Sequence, residues 1–181
     1  WPLSNEVRSK QFIKIFKGAD GTYESMVQRV YRQIKRVDVD ATVTIATSKS
    51  QVSAIHNQLG DNVGISVEPC RRDTFPAIVL ATAYLTDVFH INPDEVVVIC
   101  PAEKYGYIIP ESEDTVAKVK TFKEKPSKDI AKEYITQGAL WNGGVFAYKL
   151  KYVLNKAHEL IDFTDYWDLF TKYDSLTKIS F

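Results

Sequence analysis

The sequence predicts an α/β fold of three layers, α/β/α, around a mostly parallel central sheet with a small antiparallel extension. Three observations predict it. β-Branched or apolar runs recur at 41–46, 63–67 and 95–100. Between them the apolar spacing changes to the helical period, which gives the βαβ rhythm of parallel strands. After residue 104, two strand-like stretches follow one another across a charged turn, the pattern of an antiparallel pair at a sheet edge.

Each element has its own signal. Glu24 to Val37 sets Met26, Val30, Ile34 and Val37 at helical spacing. Ala41 to Ala46 is a strand, and Thr47 and Ser48 offer N-caps to the next helix. That helix aligns Val52, Ile55 and Leu59 and stops at Gly60. A short strand at 63–67 leads into a helix through Ala77, Leu80, Ala81, Tyr84 and Val88. Glu95 to Cys100 is nearly all apolar, as for a strand covered on both faces. Tyr105 to Ile109 and Val116 to Phe122 are the antiparallel candidates, parted by the charged turn Glu111 to Asp114. Ser127 caps a short helix ending at Gly138, Gly144 to Tyr148 is another strand, and a last helical stretch begins at Leu150.

The 181 residues suffice for a sizeable core, and 45% hydrophobic with 25% charged residues is an ordinary globular balance. Basic and acidic residues number 23 each, so overall charge is no basis for holding nucleic acid, although a local anion pocket is open. The two cysteines, Cys70 and Cys100, have neither metal-ligand spacing nor a secreted disulfide pattern. No apolar run approaches the ~20 residues of a membrane span and no signal peptide opens the chain, so a cytoplasmic protein without a membrane partner is expected. His56, His90 and His158 neighbour no carboxylate–cysteine constellation and read as surface or structural residues.

The most informative segment is Glu68-Pro69-Cys70-Arg71-Arg72-Asp73-Thr74-Phe75-Pro76-Ala77. It sets a carboxylate, two guanidinium groups and a hydroxyl at the carboxyl end of a strand, where open α/β sheets bind ligands. The planar fork of Arg suits phosphate; the bland alternative pairs Arg72 with Asp73 or Glu68 on the surface. Near the N-terminus, Trp1-Pro2-Leu3-Ser4 is followed by Ser9-Lys10-Gln11-Phe12, and Lys10 taken alone is an ordinary solvated charge. Ser25-Met26-Val27-Gln28 reads equally as a helix start with one buried Met. Phe122-Lys123-Glu124-Lys125-Pro126 is weak evidence by itself. In Trp141-Asn142-Gly143-Gly144 the glycines permit close backbone approach to a ligand, or simply a turn.

Together, in this order and across nearly the whole chain, these motifs resemble the mannose-1-phosphate guanylyltransferases, also called GDP-mannose pyrophosphorylases. The family carries Glu-Pro-x-x-Arg-Asn-Thr-x-Pro-Ala, so Asp73 replaces an Asn and Phe75 a usual Ala; Ser9 replaces a Pro. The resemblance implies a Rossmann-like nucleotidyltransferase domain that joins GTP and mannose-1-phosphate into GDP-mannose, with Mg²⁺ as the divalent cation. It implies catalytic roles for Lys10 and Arg72, and nucleotide contacts at Glu68, Pro69, Thr74 and Gln28. Sugar-phosphate contacts are implied at Glu124, Lys125, Asn142 and Gly106, the last from Tyr105-Gly106-Tyr107-Ile108. A homodimer is the assembly considered, and a parent with a mannose-6-phosphate isomerase domain is compatible with the family.

The resemblance also implies segments that the sequence does not carry. The Gly-rich phosphate loop belongs immediately before Trp1, a Pro-Ala-Asp-His segment continues from Cys100-Pro101-Ala102, and a second metal-binding Asp follows Phe181. Residues 1–181 are accordingly expected to form one nucleotidyltransferase domain, incomplete at its start, after Ala102 and at its end, with no metal ligand assigned. Two alternatives stand beside this reading: a noncatalytic nucleotide-sugar-binding regulatory subunit, and a nucleotidyltransferase for another sugar-1-phosphate.

Overall fold

Residues 9–18, 20–101, 106–124 and 126–177 are described in the computed structural model. They divide into two units, Trp1–Val97 with Tyr148–Phe181 and Val98–Ala147. The expected discontinuities before Trp1, after Ala102 and after Phe181 lie outside the described residues.

The first unit opens with a 3-10 turn, Lys10–Phe12, and a small hairpin of β1 (Phe16–Lys17) and β2 (Tyr23–Glu24). The Asp20 carboxylate closes the hairpin by accepting from the Thr22 amide and hydroxyl at 3.0 and 2.8 Å. α1 (Met26–Val37) begins with a reciprocal cap: the Ser25 hydroxyl accepts from the Gln28 amide at 3.3 Å, and Gln28 Oε1 accepts from the Ser25 amide at 3.1 Å. The buried residue of this turn is Val27, not Met26, and Val37 is exposed, so the apolar face predicted along the helix stops short of its end.

β3 (Thr44–Ser48) and β4 (Gly64–Glu68) form a parallel pair running in register from Thr44 opposite Gly64 to Ser48 opposite Glu68. α2 (Val52–Leu59) is the crossover, and it ends at Gly60, whose φ of 76° favours glycine. At Gly64 a Cβ would stand 2.6 Å from Thr44 Oγ1, so a side chain there would require the Thr44 hydroxyl to shift. The expected N-caps serve otherwise. Thr47 remains in β3 and its hydroxyl donates to Gln51 Oε1 at 2.8 Å, while Ser48 caps no helix amide.

α3 (Thr74–Ala83) buries Phe75, Pro76, Ile78, Val79, Leu80, Thr82 and Ala83, the mark of a helix inside a core rather than on its surface. The sequence predicts a regular helix through Val88, but Tyr84–Val88 widens into a π turn, with the Phe89 amide donating to the Tyr84 carbonyl at 3.2 Å. β5 (Val96–Ile99) then leads out of the unit.

The second unit is a three-stranded antiparallel sheet, β6 (Gly106–Pro110), β7 (Val119–Glu124) and β8 (Leu140–Asn142), with β6 in the centre. The antiparallel pairing expected on either side of the charged turn is therefore present. α4 (Lys128–Thr136) lies against one side of this sheet, the rings of Tyr107 and Tyr134 standing 6.3 Å apart. Ser127 occupies its N-cap position without a side-chain bond to the helix.

β9 (Phe146–Lys149) pairs with β5 where the chain passes between units. Val96 and Val98 are exposed, correcting the expectation of a strand covered on both faces. α5 (Leu150–Leu160) lays Leu150, Val153 and Ala157 into the core, and α6 (Tyr166–Lys172) adds Tyr166 and Leu169. Asp165 caps α6 by accepting from the Asp168 amide at 2.9 Å, and Asp87 of the π turn accepts from the Tyr166 amide at 2.7 Å. A 3-10 turn, Tyr173–Ser175, follows α6, with the Tyr173 ring fully buried. The fold is mixed α/β, with its parallel pairing at β3–β4 and its antiparallel pairing concentrated around β6.

Candidate functional site

Glu68 is the last residue of β4 and Thr74 the first of α3, so the loop between them stands at the carboxyl end of a parallel strand. Pro69 and Thr74 are exposed, and Glu68 and Arg72 are half-buried. Asp73 holds φ 71° and ψ −173°, a conformation costly for any residue with a Cβ, and its side chain makes no cap bond. Such strain persists only where surrounding contacts fix the chain.

Those contacts come from the Tyr173–Ser175 turn. The Tyr173 hydroxyl donates to Glu68 Oε2 at 3.0 Å. Arg72 Nε donates to the Tyr173 carbonyl at 3.3 Å, and its Nη2 donates to the Asp174 carbonyl. Neither Asp73 nor Glu68 is the partner of Arg72 here; the guanidinium spends part of its five donors on backbone. Burial pushes the Glu68 carboxyl above its ordinary range, against the opposing effects of the Tyr173 bond and the Arg71 charge. Burial, together with the carboxylate beside it, pushes the Tyr173 phenol up, so it remains a donor. The Cys70 thiol is also pushed up, by desolvation and then by Asp174. Tyr173 was not legible as a site residue, because it lies 105 positions from Glu68 and no local pattern links them.

Lys10 lies exposed in the first 3-10 turn. That turn is tied to α2 by Gln58 Nε2, which donates to the Phe12 carbonyl at 2.9 Å. Gln28 serves the start of α1, and its Nε2 donates to the Gln58 carbonyl at 3.2 Å. It also lines an open cleft of about 400 Å³ with Lys14, Glu24, Tyr31, Arg32 and Gln58. Across that cleft Arg32 grips Glu24 through two bonds, of 3.0 and 2.6 Å, and holds its carboxyl below the usual range.

In the second unit, Gly106 stands opposite Glu124 on one side and Asn142 on the other. Three motifs read separately in the sequence thus lie abreast on one sheet row. Because α4 covers the side of Tyr107, and strand residues alternate, Gly106 and Asn142 belong to the side without that helix. Asn142 Oδ1 accepts from the Gly144 amide at 2.9 Å, which leaves its NH₂ group for other partners. Gly144 is buried with φ 66°. Lys125 lies outside the described residues.

Among the described residues no three His, Cys, Asp or Glu side chains gather as metal ligands. The described residues by themselves form no divalent-cation cage. No described helix is long and apolar enough to cross a membrane.

Residues 96–174 match the family described as nucleotidyl transferase. Mannose-1-phosphate guanylyltransferases of Klebsiella pneumoniae and Escherichia coli are each 25% identical over 201 residues, covering 86% of this chain and 41% of theirs. The alginate biosynthesis protein AlgA of Pseudomonas putida is 25% identical over 198 residues, 82% of this chain and 38% of its own. The mannose-1-phosphate geranyltransferase crystal structure from Thermus thermophilus has a TM-score of 0.69 at 22% identity, covering 99% of this chain and 64% of that one. A mannose-6-phosphate isomerase from Helicobacter pylori has a TM-score of 0.59 at 18% identity, covering 85% of this chain and 71% of its own. These likenesses show a fold shared with those solved structures and a chain similar to mannose-1-phosphate guanylyltransferases. The chain spans 41% of the length of the first two relatives. Their alignments also run over more positions than 86% of this chain contains, so those relatives carry residues within the aligned span that have no counterpart here.

Proposed function

We propose that the chain is part of an enzyme that transfers a guanylyl group from GTP to mannose-1-phosphate, giving GDP-mannose and pyrophosphate. An oxygen of the sugar phosphate attacks the α-phosphorus of the triphosphate, a new P–O bond forms, and the bond to the β-phosphate oxygen breaks as pyrophosphate leaves. Two anions meet, so the protein's contribution is alignment and neutralisation of charge. Lys10 supplies a compact cation and Arg72 a guanidinium beside the phosphates. Glu68, Pro69, Thr74 and Gln28 hold the nucleotide, and Gly106, Glu124, Lys125 and Asn142 hold the sugar phosphate.

The observation that carries this reading is the row of Gly106, Glu124 and Asn142, because three motifs with one implied ligand lie abreast. The similarity to guanylyltransferases over 86% of the chain supports it. A divalent cation, Mg²⁺, a cytoplasmic setting, a homodimer and a parent with isomerase activity complete the proposal. The strained loop at Asp73 fits it, since such strain gathers at ligand sites.

The test is pyrophosphate release by the full-length protein, with four nucleoside triphosphates against several sugar-1-phosphates. Selective turnover of GTP with mannose-1-phosphate supports the reading. Preference for another pair transfers the chain to a different sugar nucleotidyltransferase. Binding of GDP-mannose without turnover would make it a regulatory subunit.

A further inference from the structure

We infer that Tyr173 is a positioning residue for the triphosphate-binding loop: its phenol orients the Glu68 carboxylate, and its carbonyl, with that of Asp174, anchors Arg72. The inference rests on the proposed guanylyl transfer for its kinetic consequences but on geometry for its contacts.

Tyr173 reaches the loop at both ends. Its hydroxyl meets Glu68, where β4 stops, and its carbonyl accepts Arg72 Nε, one residue before the strained Asp73. The same carbonyl accepts from the Leu176 amide at 3.2 Å, so both of its lone pairs are used. Because the ring is fully buried and the Ser175 hydroxyl ties the turn to the Lys172 carbonyl at 2.7 Å, the turn is a fixed anchor. Within the loop between Glu68 and Thr74, Pro69, Arg71 and Asp73 are exposed. The strained conformation at Asp73 needs such a partner.

The charged and titratable neighbours of Glu68 are Tyr173 from the turn and Arg71 from the loop, with Cys70, Arg72 and Asp174 beside them. Removal of the phenol takes away a bond that favours the ionised carboxylate, while burial still opposes ionisation. Glu68 then protonates at a higher pH.

The test compares full-length wild type, Tyr173→Phe and Glu68→Gln. Tyr173→Phe is expected to raise KM for GTP about tenfold with a much smaller change in kcat, as for loss of a hydrogen bond to a charged group. The acid limb of its kcat/KM profile is expected to move to higher pH, and that limb should vanish in Glu68→Gln. Hydrogen–deuterium exchange without substrate is expected to quicken at the amides of residues 70–73 in Tyr173→Phe, whether or not the protein turns over. Unchanged exchange there, or an unmoved KM and acid limb, overturns the inference even if wild type makes GDP-mannose. If Tyr173→Phe does not fold, a Glu68→Gln profile that keeps its acid limb overturns it. Absence of wild-type turnover sinks the functional reading alone, and loop exchange still judges the anchor.

Discussion

Gly106 and Asn142 stand directly opposite one another across β6 and β8, and the Asn142 side chain folds back to accept from the Gly144 amide. Asn142→Ala should therefore have two separable effects. Losing one hydrogen bond costs about 1 kcal/mol, or a fall of roughly 2–4 °C in Tm for a chain of this size. A rise in KM for mannose-1-phosphate beyond that expected from the small stability loss would show that the remaining NH₂ group meets the sugar. Thermal melts and sugar-phosphate titrations on the same preparations check both.

Glu68→Gln should make stability less dependent on pH. The folded carboxyl is raised above its ordinary value of 4.5 by burial. Its effect on stability is therefore favourable below that value and is lost as pH rises through the higher folded value. Wild type should weaken relative to Glu68→Gln across that window, and the two should converge in acid. Gln also retains an acceptor for Tyr173. Urea unfolding at pH steps from 4 to 8 reads this, and a constant gap between the two proteins would reject it.

At Asp73 the backbone, not the side chain, sets the outcome. Asp73→Gly should leave stability unchanged or slightly improved, because glycine accepts φ 71°. Asp73→Val should lower it by about 1–2 kcal/mol, since a β-branched residue is poorly suited to that conformation. Equal stabilities for the two variants would deny the strain.

Lys10→Ala should depress turnover while leaving folding nearly intact. Lys10 is exposed, and surface changes are usually within ~0.5 kcal/mol. Loss of a cation from a phosphate site, taken as comparable to one oxyanion donor, costs on the order of a hundredfold in rate. GDP-mannose formation measured beside thermal melting separates the two, and near-normal turnover would remove Lys10 from the mechanism.

Leu80→Ala should be the most damaging single change considered. Leu80 is fully buried at the centre of α3, and truncation there costs about 2–5 kcal/mol through the cavity left behind. Denaturant midpoints measure it.

Some local chemistry was legible in the sequence, while the contacts that hold the motif loop were not. Ser25 and Gln28 announce a helix start because their reciprocal cap needs only neighbours. Gly60 likewise stops α2 by its own backbone freedom. The strand at Leu140–Asn142 gave no such signal, since three residues become a strand only by pairing with β6. The apolar run of Val96 and Val98 suggested a strand covered on both faces, but composition does not reveal which neighbours will cover a strand. The motif loop was visible, but the turn that holds it was not: Arg72 and Tyr173 are 101 positions apart.

That separation matters while the chain is being made. On the ribosome, Glu68 and Arg72 emerge about a hundred residues before the turn that grips them. At ~5–20 residues per second, the interval is on the order of ten seconds. A nascent chain can pair β3 with β4 during that time, but the loop beyond β4 acquires its final shape only after Tyr173 has been synthesised. The proposed nucleotide site consequently waits on a turn made long after its motif, and a chain truncated before Tyr173 would carry that motif without the anchor that shapes it.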